Sequence, residues 1–493
     1  MIHLDFIDTA LVVVYFAAVL LVGLRAARRG KDTNEDFLLA GRTLTLPLFV
    51  ATLVSTWYGG ILGIGEFSYR YGISNWVVFG APYYLFALLF ALVLARRIRA
   101  TSARTIPDQL ERAYDRTTAV FGGVLTFLLI TPAAYVLMLG ILVQLIFGSS
   151  LEVSVVIATA ITIVYLKRGG LRSDVWVNAL EFVLMFLGFA LIIPFAWAHF
   201  GGPSFIRDNV PVLHLTWHGG LPAQYIAVWF FIALWTLVDP AFYQRCAAAR
   251  DGATAQKGIL VSILFWFCFD ALTSTAGLYA RAALPDLQEP MYSFPVLAER
   301  VLPAAFKGLF VIGMLATVMS TLSSLMFIAA STIGNDIVGR LSRPEHRPER
   351  VNRWTRWGLL ISATFAIALA LALPSVVKLW YTIGTTIIPG LLVPLVSSYF
   401  ERLRISPAFA LTCMLAGWGV STTCFIEGQL TMVGTSPDYL FGVEPMIPGL
   451  VASLIVWVVG RANAGKREAA ERFFKTASSN VPINRSGRQS VTK

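Results

Sequence analysis

Long apolar runs alternate with short polar intervals along almost the whole chain. A helix crossing a membrane needs about 20 predominantly apolar residues to match the hydrocarbon core. Thirteen candidate runs can be placed, at about 6–27, 45–70, 75–98, 118–147, 151–166, 174–199, 222–246, 254–283, 304–338, 352–373, 375–400, 405–424 and 444–462. The run at 151–166 is short. Those at 118–147 and 304–338 exceed a bilayer and are expected to tilt or extend past it. The pattern predicts an all-α integral membrane protein with residues 1–462 as one transmembrane unit. Residues 463–493 are rich in Ser, Asn, Arg and Lys and are expected to form a disordered cytoplasmic tail. The intervals 200–221 and 284–303 are long and carry Pro, but no soluble domain interrupts the pattern. That argues against a receptor kinase or a fused sensor.

Composition sharpens this picture. Hydrophobic types make up 57% of the 493 residues and charged types 14%, against roughly 25% charged in an ordinary soluble domain. The mean hydropathy is +0.70. Too little charge is present to keep so much apolar surface in solution, which excludes soluble secreted, cytosolic and nucleic-acid-binding classes. A net charge of +11 would fit a nucleic-acid partner until its placement is examined. With the N-terminus outside, 33 of the 39 Lys and Arg fall on the cytoplasmic side. Only Arg70, Arg207, Arg281, Arg300, Lys307 and Lys378 fall outside. This is the positive-inside asymmetry of a cell-membrane protein, and no nucleic-acid partner is needed to explain the charge. The first run follows His3-Leu4-Asp5 without a basic leader, so it is expected to span rather than to be a signal peptide.

Few residues suggest metal or disulfide chemistry. Cys246, Cys268, Cys413 and Cys424 lie in or beside apolar runs without a CxxC pair. His214 and His218 are four apart in a Pro- and Gly-rich stretch and are expected to be loop residues.

Two spans are unusual for plain lipid-facing helices. The second contains Ser55-Thr56-Trp57-Tyr58-Gly59-Gly60-Ile61-Leu62-Gly63-Ile64-Gly65. Such a segment forms helix poorly. It can unwind and expose carbonyls that must face a protein-lined cavity, or it can pack closely against neighbours. The ninth contains Ala316-Thr317-Val318-Met319-Ser320-Thr321-Leu322-Ser323-Ser324, in which Ser320, Thr321 and Ser324 share a face. Its hydroxyls can ligate an alkali cation or bond back to their own helix. Asp270 and Glu181 sit within spans, where a charge needs a partner or water. Asp239 precedes Pro240 near a span end, and Glu66 and Arg70 are spaced to pair.

Taken in order, these segments resemble the sodium:solute symporter family over roughly residues 5–462. The likeness begins at Phe37-Leu38-Leu39-Ala40-Gly41-Arg42-Thr43-Leu44 and continues through the Trp-Tyr-Gly-Gly stretch to Tyr69-Arg70-Tyr71-Gly72. It includes Thr105-Ile106-Pro107-Asp108, Leu110-Glu111, Gly169-Gly170-Leu171-Arg172 with Val175-Trp176, Asp239-Pro240 and Gln244-Arg245. The Met-Ser-Thr-x-Ser-Ser run of the ninth span, with Asn335-Asp336, is its most specific part. The resemblance implies a LeuT-type fold: two inverted five-helix repeats, here helices two to six (about 45–199) and seven to eleven (about 222–400). It also implies alternating access driven by sodium.

By the family's pattern, the sodium ion is held by the carbonyls of Leu53, Thr56 and Thr317 and the hydroxyls of Ser320 and Thr321. A second sodium site of some members maps to Ser320, Ser323 and Ser324, with Asn178 where the family has Asp and Glu181 one turn on as a substitute. The missing carboxylate favours one coupled sodium. The substrate is expected beside Ser55, Trp57, Tyr58, Gly59 and Gly60 and against Trp235 and Thr236, with Tyr135 within reach. Ser55 and Gly60 fall where sugar-transporting members carry Asn and Gln, which disfavours hexoses. Amino acids, carboxylates, quaternary amines and vitamins remain open. The expected activity is sodium-coupled uptake of a small organic solute across the cell membrane, by a protein whose partners are that solute and membrane lipid, with no enzyme activity and no obligate protein partner evident. Proton coupling through Glu181 or Asp270 is the alternative. A membrane enzyme or a sensor is disfavoured because no paired acids or histidines gather at one membrane face in the sequence.

Overall fold

The computed structural model describes residues 2–28, 33–166, 170–342, 347–433 and 436–479. Arg29, Lys31, Lys167, Arg168, Gly169, Arg343, His346 and the end of the expected tail lie outside the described residues.

The apolar runs become helices α1 (Phe6–Arg28), α2a (Leu46–Trp57), α2b (Ile61–Tyr71), α3 (Trp76–Ala100), α4 (Arg116–Phe147), α5 (Leu151–Leu166), α6 (Gly170–Phe200), α7 (Ala223–Ala248), α8 (Gly252–Ala283), α9 (Phe306–Leu341), α10 (Arg347–Ala372), α11 (Val376–Ser398), α12 (Pro407–Leu430) and α13 (Met446–Ser479). Among the described residues, eleven of these are long and apolar enough to cross a membrane, and α2a with α2b forms a twelfth span bent by 60°. The expected thirteenth, α5, has 16 residues and falls short of a full span. Helix α13 continues past 462 to Ser479, so the first part of the expected tail is helical.

Polar intervals start the helices. Asp115 accepts from the Thr118 N–H at 2.7 Å and Asp251 from the Thr254 N–H at 2.7 Å, so each carboxylate satisfies an end donor that has no partner within its helix. The bundle is layered by burial. The most apolar window of α9 is 100% buried, whereas those of α1 and α13 are 22% buried. Phe6, Val13 and Val14 of α1 are among the exposed apolar residues, as expected for a helix bordering lipid. The central α9 packs against α6 through facing glycines. A Cβ added at Gly188 would lie 3.0 Å from the Gly313 Cα, and the reverse holds. Small residues permit this backbone approach.

Two spans are interrupted. Span α2 breaks at Tyr58-Gly59-Gly60. Helix α7 passes through a 3-10 stretch over Ala233–Leu237 and restarts at Pro240, where the Asp239 carboxylate accepts from the Ala241 N–H at 2.7 Å. The sequence placed Asp239 near a span end, satisfied by the interface. It is instead 6% exposed and caps the helix restart from within the bundle.

The Thr-x-Pro-Asp motif also acquires a structural role. Thr105 caps the short helix Ile106–Ala113 by accepting from the Asp108 N–H at 3.2 Å, and it donates to Asp336 at 2.8 Å. Arg340, at the end of α9, pairs with Asp108, with Glu111 at 2.9 Å and with Asp336 at 2.8 Å. Three carboxylates from two segments thus share one buried guanidinium. At the other end, Arg70 pairs with Glu66 at 3.1 Å. His214 approaches the Tyr69 carbonyl through Nε2 at 3.0 Å, while His218 Nδ1 accepts from the Gly220 N–H at 3.0 Å. The two rings serve different partners. Burial pushes His214 below the ordinary histidine range, partly opposed by its bond to Tyr69.

Replacing Arg340 with Ala leaves the buried Asp336 without its ion-pair partner, while Asp108 keeps Arg104 at 3.7 Å. The variant is expected to lose on the order of 3 kcal/mol and to melt at lower temperature in detergent. Arg340→Ala melting together with the unaltered protein would show that the cluster contributes nothing to stability.

Candidate functional site

The break in α2 leaves backbone carbonyls without the N–H groups that a continuing helix would supply. They are met by hydroxyls of α9. Ser320 donates to the Ser55 carbonyl at 2.9 Å, with the Thr317 carbonyl also at 2.9 Å. Thr321 Oγ1 lies 2.6 Å from the Thr56 carbonyl and 3.1 Å from that of Ser55. Gly59 makes this approach possible, because a Cβ there would fall 2.1 Å from Thr321 Oγ1. The result is a buried cluster of neutral oxygens from Ser55, Thr56, Thr317, Ser320 and Thr321. Such hard donors suit sodium, and the hydroxyls can rotate to present lone pairs. The Thr317 hydroxyl bonds back to Gly313 at 2.6 Å, so only its carbonyl faces the cluster. Leu53, expected as a ligand, borders the adjoining cavity, while the Ser55 carbonyl is an unexpected member of the cluster.

A second polar cluster lies against the first and shares Thr56. Its centre is a fully buried ion pair between Arg245 of α7 and Asp174 of α6 at 2.9 Å. Arg245 also reaches the Thr52, Thr56 and Ser324 hydroxyls at 3.3, 3.0 and 2.8 Å. Ser323 and Ser324 donate to Asp174 Oδ1 at 3.0 and 2.8 Å. Asn178 joins this cluster through Asp174 and Ser324 at 3.2 and 3.0 Å. Glu181 does not. Its carboxylate accepts from Tyr15 of α1 at 3.0 Å, one turn too far along α6 to replace the missing family Asp.

The cavity beside the α2 break is bordered by Trp57, Tyr58, Phe79, Tyr83, Tyr135, Trp235, Phe242 and Trp380, with Thr56, Thr131, Thr321, Asp239 and Asp270 as polar residues. Trp57 packs edge-on against Tyr83 and Phe242 at 5.3 Å between centroids. Tyr58 and Tyr84 donate to the two carboxylate oxygens of Asp270. Of the substrate positions expected from sequence, Trp57, Tyr58, Gly60 and Trp235 border the cavity. Ser55, Gly59 and Thr236 do not. The Ser55 hydroxyl turns back to the Thr52 carbonyl at 3.4 Å, Gly59 abuts Thr321, and Thr236 is fully buried with its hydroxyl unpartnered.

Phe79, Tyr83, Phe242, Trp380 and Asp239 were not among the expected substrate residues. The Asp-Pro pair of α7 was the sequence signal for Asp239. For the aromatics no local pattern existed, because they converge only through packing. Among the described cavity residues there is no Lys, Arg or His.

Comparison with known proteins agrees with this architecture. The chain is 25% identical to the human high affinity choline transporter 1, over 88% of this chain and 78% of that protein. It is also 25% identical to the Drosophila melanogaster high-affinity choline transporter 1, over 75% of this chain, but spans only 63% of that relative. With the osmoregulated proline transporter of Bacillus subtilis it shares 24% identity over 90% of this chain and 92% of that one. Its fold matches a sodium-coupled sialic acid symporter in a substrate-bound outward-open state, with a TM-score of 0.74 and 18% identity over 94% of this chain and 98% of that one. A nucleobase-cation-symport-1 family transporter in a closed conformation gives a TM-score of 0.57 and 13% identity over 89% and 96% of the two chains. The fold is therefore the LeuT type, and the likenesses support sodium-coupled solute uptake by a multi-pass membrane protein rather than an enzyme. The sodium:solute symporter profile matches residues 37–417, and this chain belongs to that family.

Proposed function

We propose that the protein couples the entry of sodium to uptake of a small organic cation, of the quaternary or protonated amine class. The observation that carries this reading is the cavity: eight aromatic rings and two carboxylates border it, without a basic side chain among its described residues. Ring faces attract a desolvated cation with about 2 kcal/mol each in favourable geometry. Asp239 and Asp270 add negative charge where few waters can screen it. An anionic solute would meet repulsion from both. The choline transporters among the relatives support the same class. A proline transporter is also a relative, so a zwitterion is the natural comparison in the test.

In this reading sodium is a co-transported substrate. It binds between α2a and α9 at the carbonyls of Leu53, Thr56 and Thr317 and the hydroxyls of Ser320 and Thr321, with the Ser55 carbonyl beside them. Sodium there would fix the α2 break against α9 and so shape the wall carrying Trp57 and Tyr58. Helices two to six and seven to eleven act as the inverted repeats. The breaks in α2 and α7, each at the start of a repeat, supply the bending points for alternating access. The N-terminus faces outside and the C-terminus the cytoplasm of the cell membrane. Proton coupling is disfavoured because Asp270 and Glu181 are held by tyrosine hydroxyls, away from the hydroxyl cluster.

Sodium-driven uptake of radiolabelled choline into proteoliposomes tests the reading. Choline, but neither proline nor glucose, is expected to stabilise the purified protein thermally, and only with sodium, since a ligand of the native state raises its stability. Stabilisation by proline alone would overturn the cationic assignment.

The double variant Ser320→Ala/Thr321→Ala is expected to raise the half-saturating sodium concentration at least tenfold. Gly59→Ala should do the same by displacing Thr321. An unchanged sodium titration in both would rule out the assigned ligands. Asp270→Asn is expected to weaken choline binding by about 2 kcal/mol, roughly 30-fold. Sodium binding without choline should change little, and titration calorimetry would reveal both effects.

A further inference from the structure

Span α4 keeps its direction but not its hydrogen bonds. It crosses without a sharp bend, yet Thr131 and Pro132 belong to no helical turn. The first segment, Arg116–Leu129, ends with the Ile130 N–H on the Thr126 carbonyl at 3.1 Å and the Thr131 N–H on the Leu128 carbonyl at 3.4 Å. Pro132 has no N–H. The second segment, Ala133–Phe147, has no side-chain cap, and the Pro132 carbonyl accepts from the N–H groups of Tyr135 and Val136 at 3.0 and 2.9 Å. The Ala133 and Ala134 N–H groups are left at the head of this 15-residue helix with no preceding carbonyl in register. Both residues are buried, so bulk water does not reach these donors.

Thr131 is a second, independent sign. Threonines elsewhere in the spans bond back to their own helix: Thr159 to the Val155 carbonyl at 2.8 Å, Thr273 to that of Phe269 at 3.0 Å and Thr386 to that of Thr382 at 2.7 Å. Thr131 stands outside the helical turns, and its hydroxyl has no partner although the residue is only 5% exposed. Among the described residues, it carries the one unpartnered buried side-chain atom that belongs to the border of the aromatic cavity. Ala134 and Tyr135 border the same cavity.

We propose that the Thr131 hydroxyl and the Ala134 N–H form a subsite for a neutral acceptor oxygen, a hydroxyl or carbonyl, of the transported amine. The subsite rests on the organic-cation reading above and narrows it to amines that carry such an oxygen. Both groups can donate, and they lie at the positive end of the segment's dipole, which favours an electron-rich atom. A carboxylate would be drawn to that end too. However, Asp239 and Asp270 already border the cavity, and no described Lys, Arg or His there offsets them. A third negative charge is the poorer fit. A hydroxyl has a further advantage, because it can accept from the α4 end and donate to a carboxylate at the same time. Asp239 is close enough to this wall to act electrostatically on Tyr135, one turn beyond Thr131. Ring faces hold an ammonium group whatever else the solute carries. The α4 subsite would distinguish a hydroxylated amine from its alkyl isostere, because the isostere leaves buried donors unpaired.

Titration calorimetry on the purified full-length protein tests this in the presence of sodium, with choline and with propyltrimethylammonium, in which a methyl group replaces the hydroxyl. Choline is expected to bind roughly tenfold tighter. Thr131→Val keeps the side-chain shape and removes the hydroxyl. It is expected to weaken choline about tenfold and to leave propyltrimethylammonium within about twofold, so that the preference disappears. Thr131→Ser should retain the preference. Equal or weaker binding of choline by the unaltered protein would overturn the subsite and leave the organic-cation reading intact, and this comparison requires no variant to fold. Equal losses for both cations in a folded Thr131→Val variant would assign Thr131 to cavity shape and overturn the subsite as well. Failure of both cations to bind would overturn the organic-cation reading and the subsite together.

Discussion

A polypeptide that breaks a helix inside a membrane must provide partners for the carbonyls it frees, because lipid offers none. Everything distinctive in this molecule follows from how that demand is met at Tyr58-Gly59-Gly60. Two α9 hydroxyls reach across to the ends of α2a. They can do so only because Gly59 has no side chain to hold the helices apart. The same neutral oxygens that close the backbone account are suited to a small cation. Satisfying the backbone thus gathers into one contact the kind of oxygens that a small cation would need.

The adjoining cavity follows a different rule. Its charged residues are acids, and its walls are largely aromatic. Asp239 is used by the restart of α7 and Asp270 by two tyrosines, and among the described residues neither carboxylate forms a direct ion pair. Ordinary buried acids are neutralised by Arg or Lys, as Asp174 and Asp336 are here. The contrast separates acids that hold the scaffold together from acids that leave their field available to a visitor.

The spans and the two unusual segments were legible because each is a local property. Twenty apolar residues, a cluster of Arg or a Gly-Gly in mid-span can be read without knowing any neighbour. The length of α5 and the helical extension of α13 lay at the edges of that method, where composition changes gradually. The meeting of α2 and α9 was partly legible: both segments stood out, but their pairing came from the family resemblance. Ser55 was expected at the substrate, but its hydroxyl turns back to Thr52 and its carbonyl accepts from α9. Glu181 was misassigned for a similar reason. Spacing along α6 put it one turn from Asn178, but nothing in the spacing reveals that α1 brings Tyr15 to meet it. The aromatic cavity, drawn from α2, α3, α4, α7 and α11, has no linear signature at all.

The crossing of α6 and α9 at Gly188 and Gly313 has a consequence for how such a machine can work. At this one crossing point the two backbones touch with no side chain between them to compress or repack. Neither helix can tilt against the other without opening a gap that lipid tails cannot fill well and water would fill at a cost. The crossing therefore acts as a rivet. Bending is easiest where continuous helix is already lacking, at Tyr58-Gly59-Gly60 and over Ala233–Leu237, rather than at this crossing.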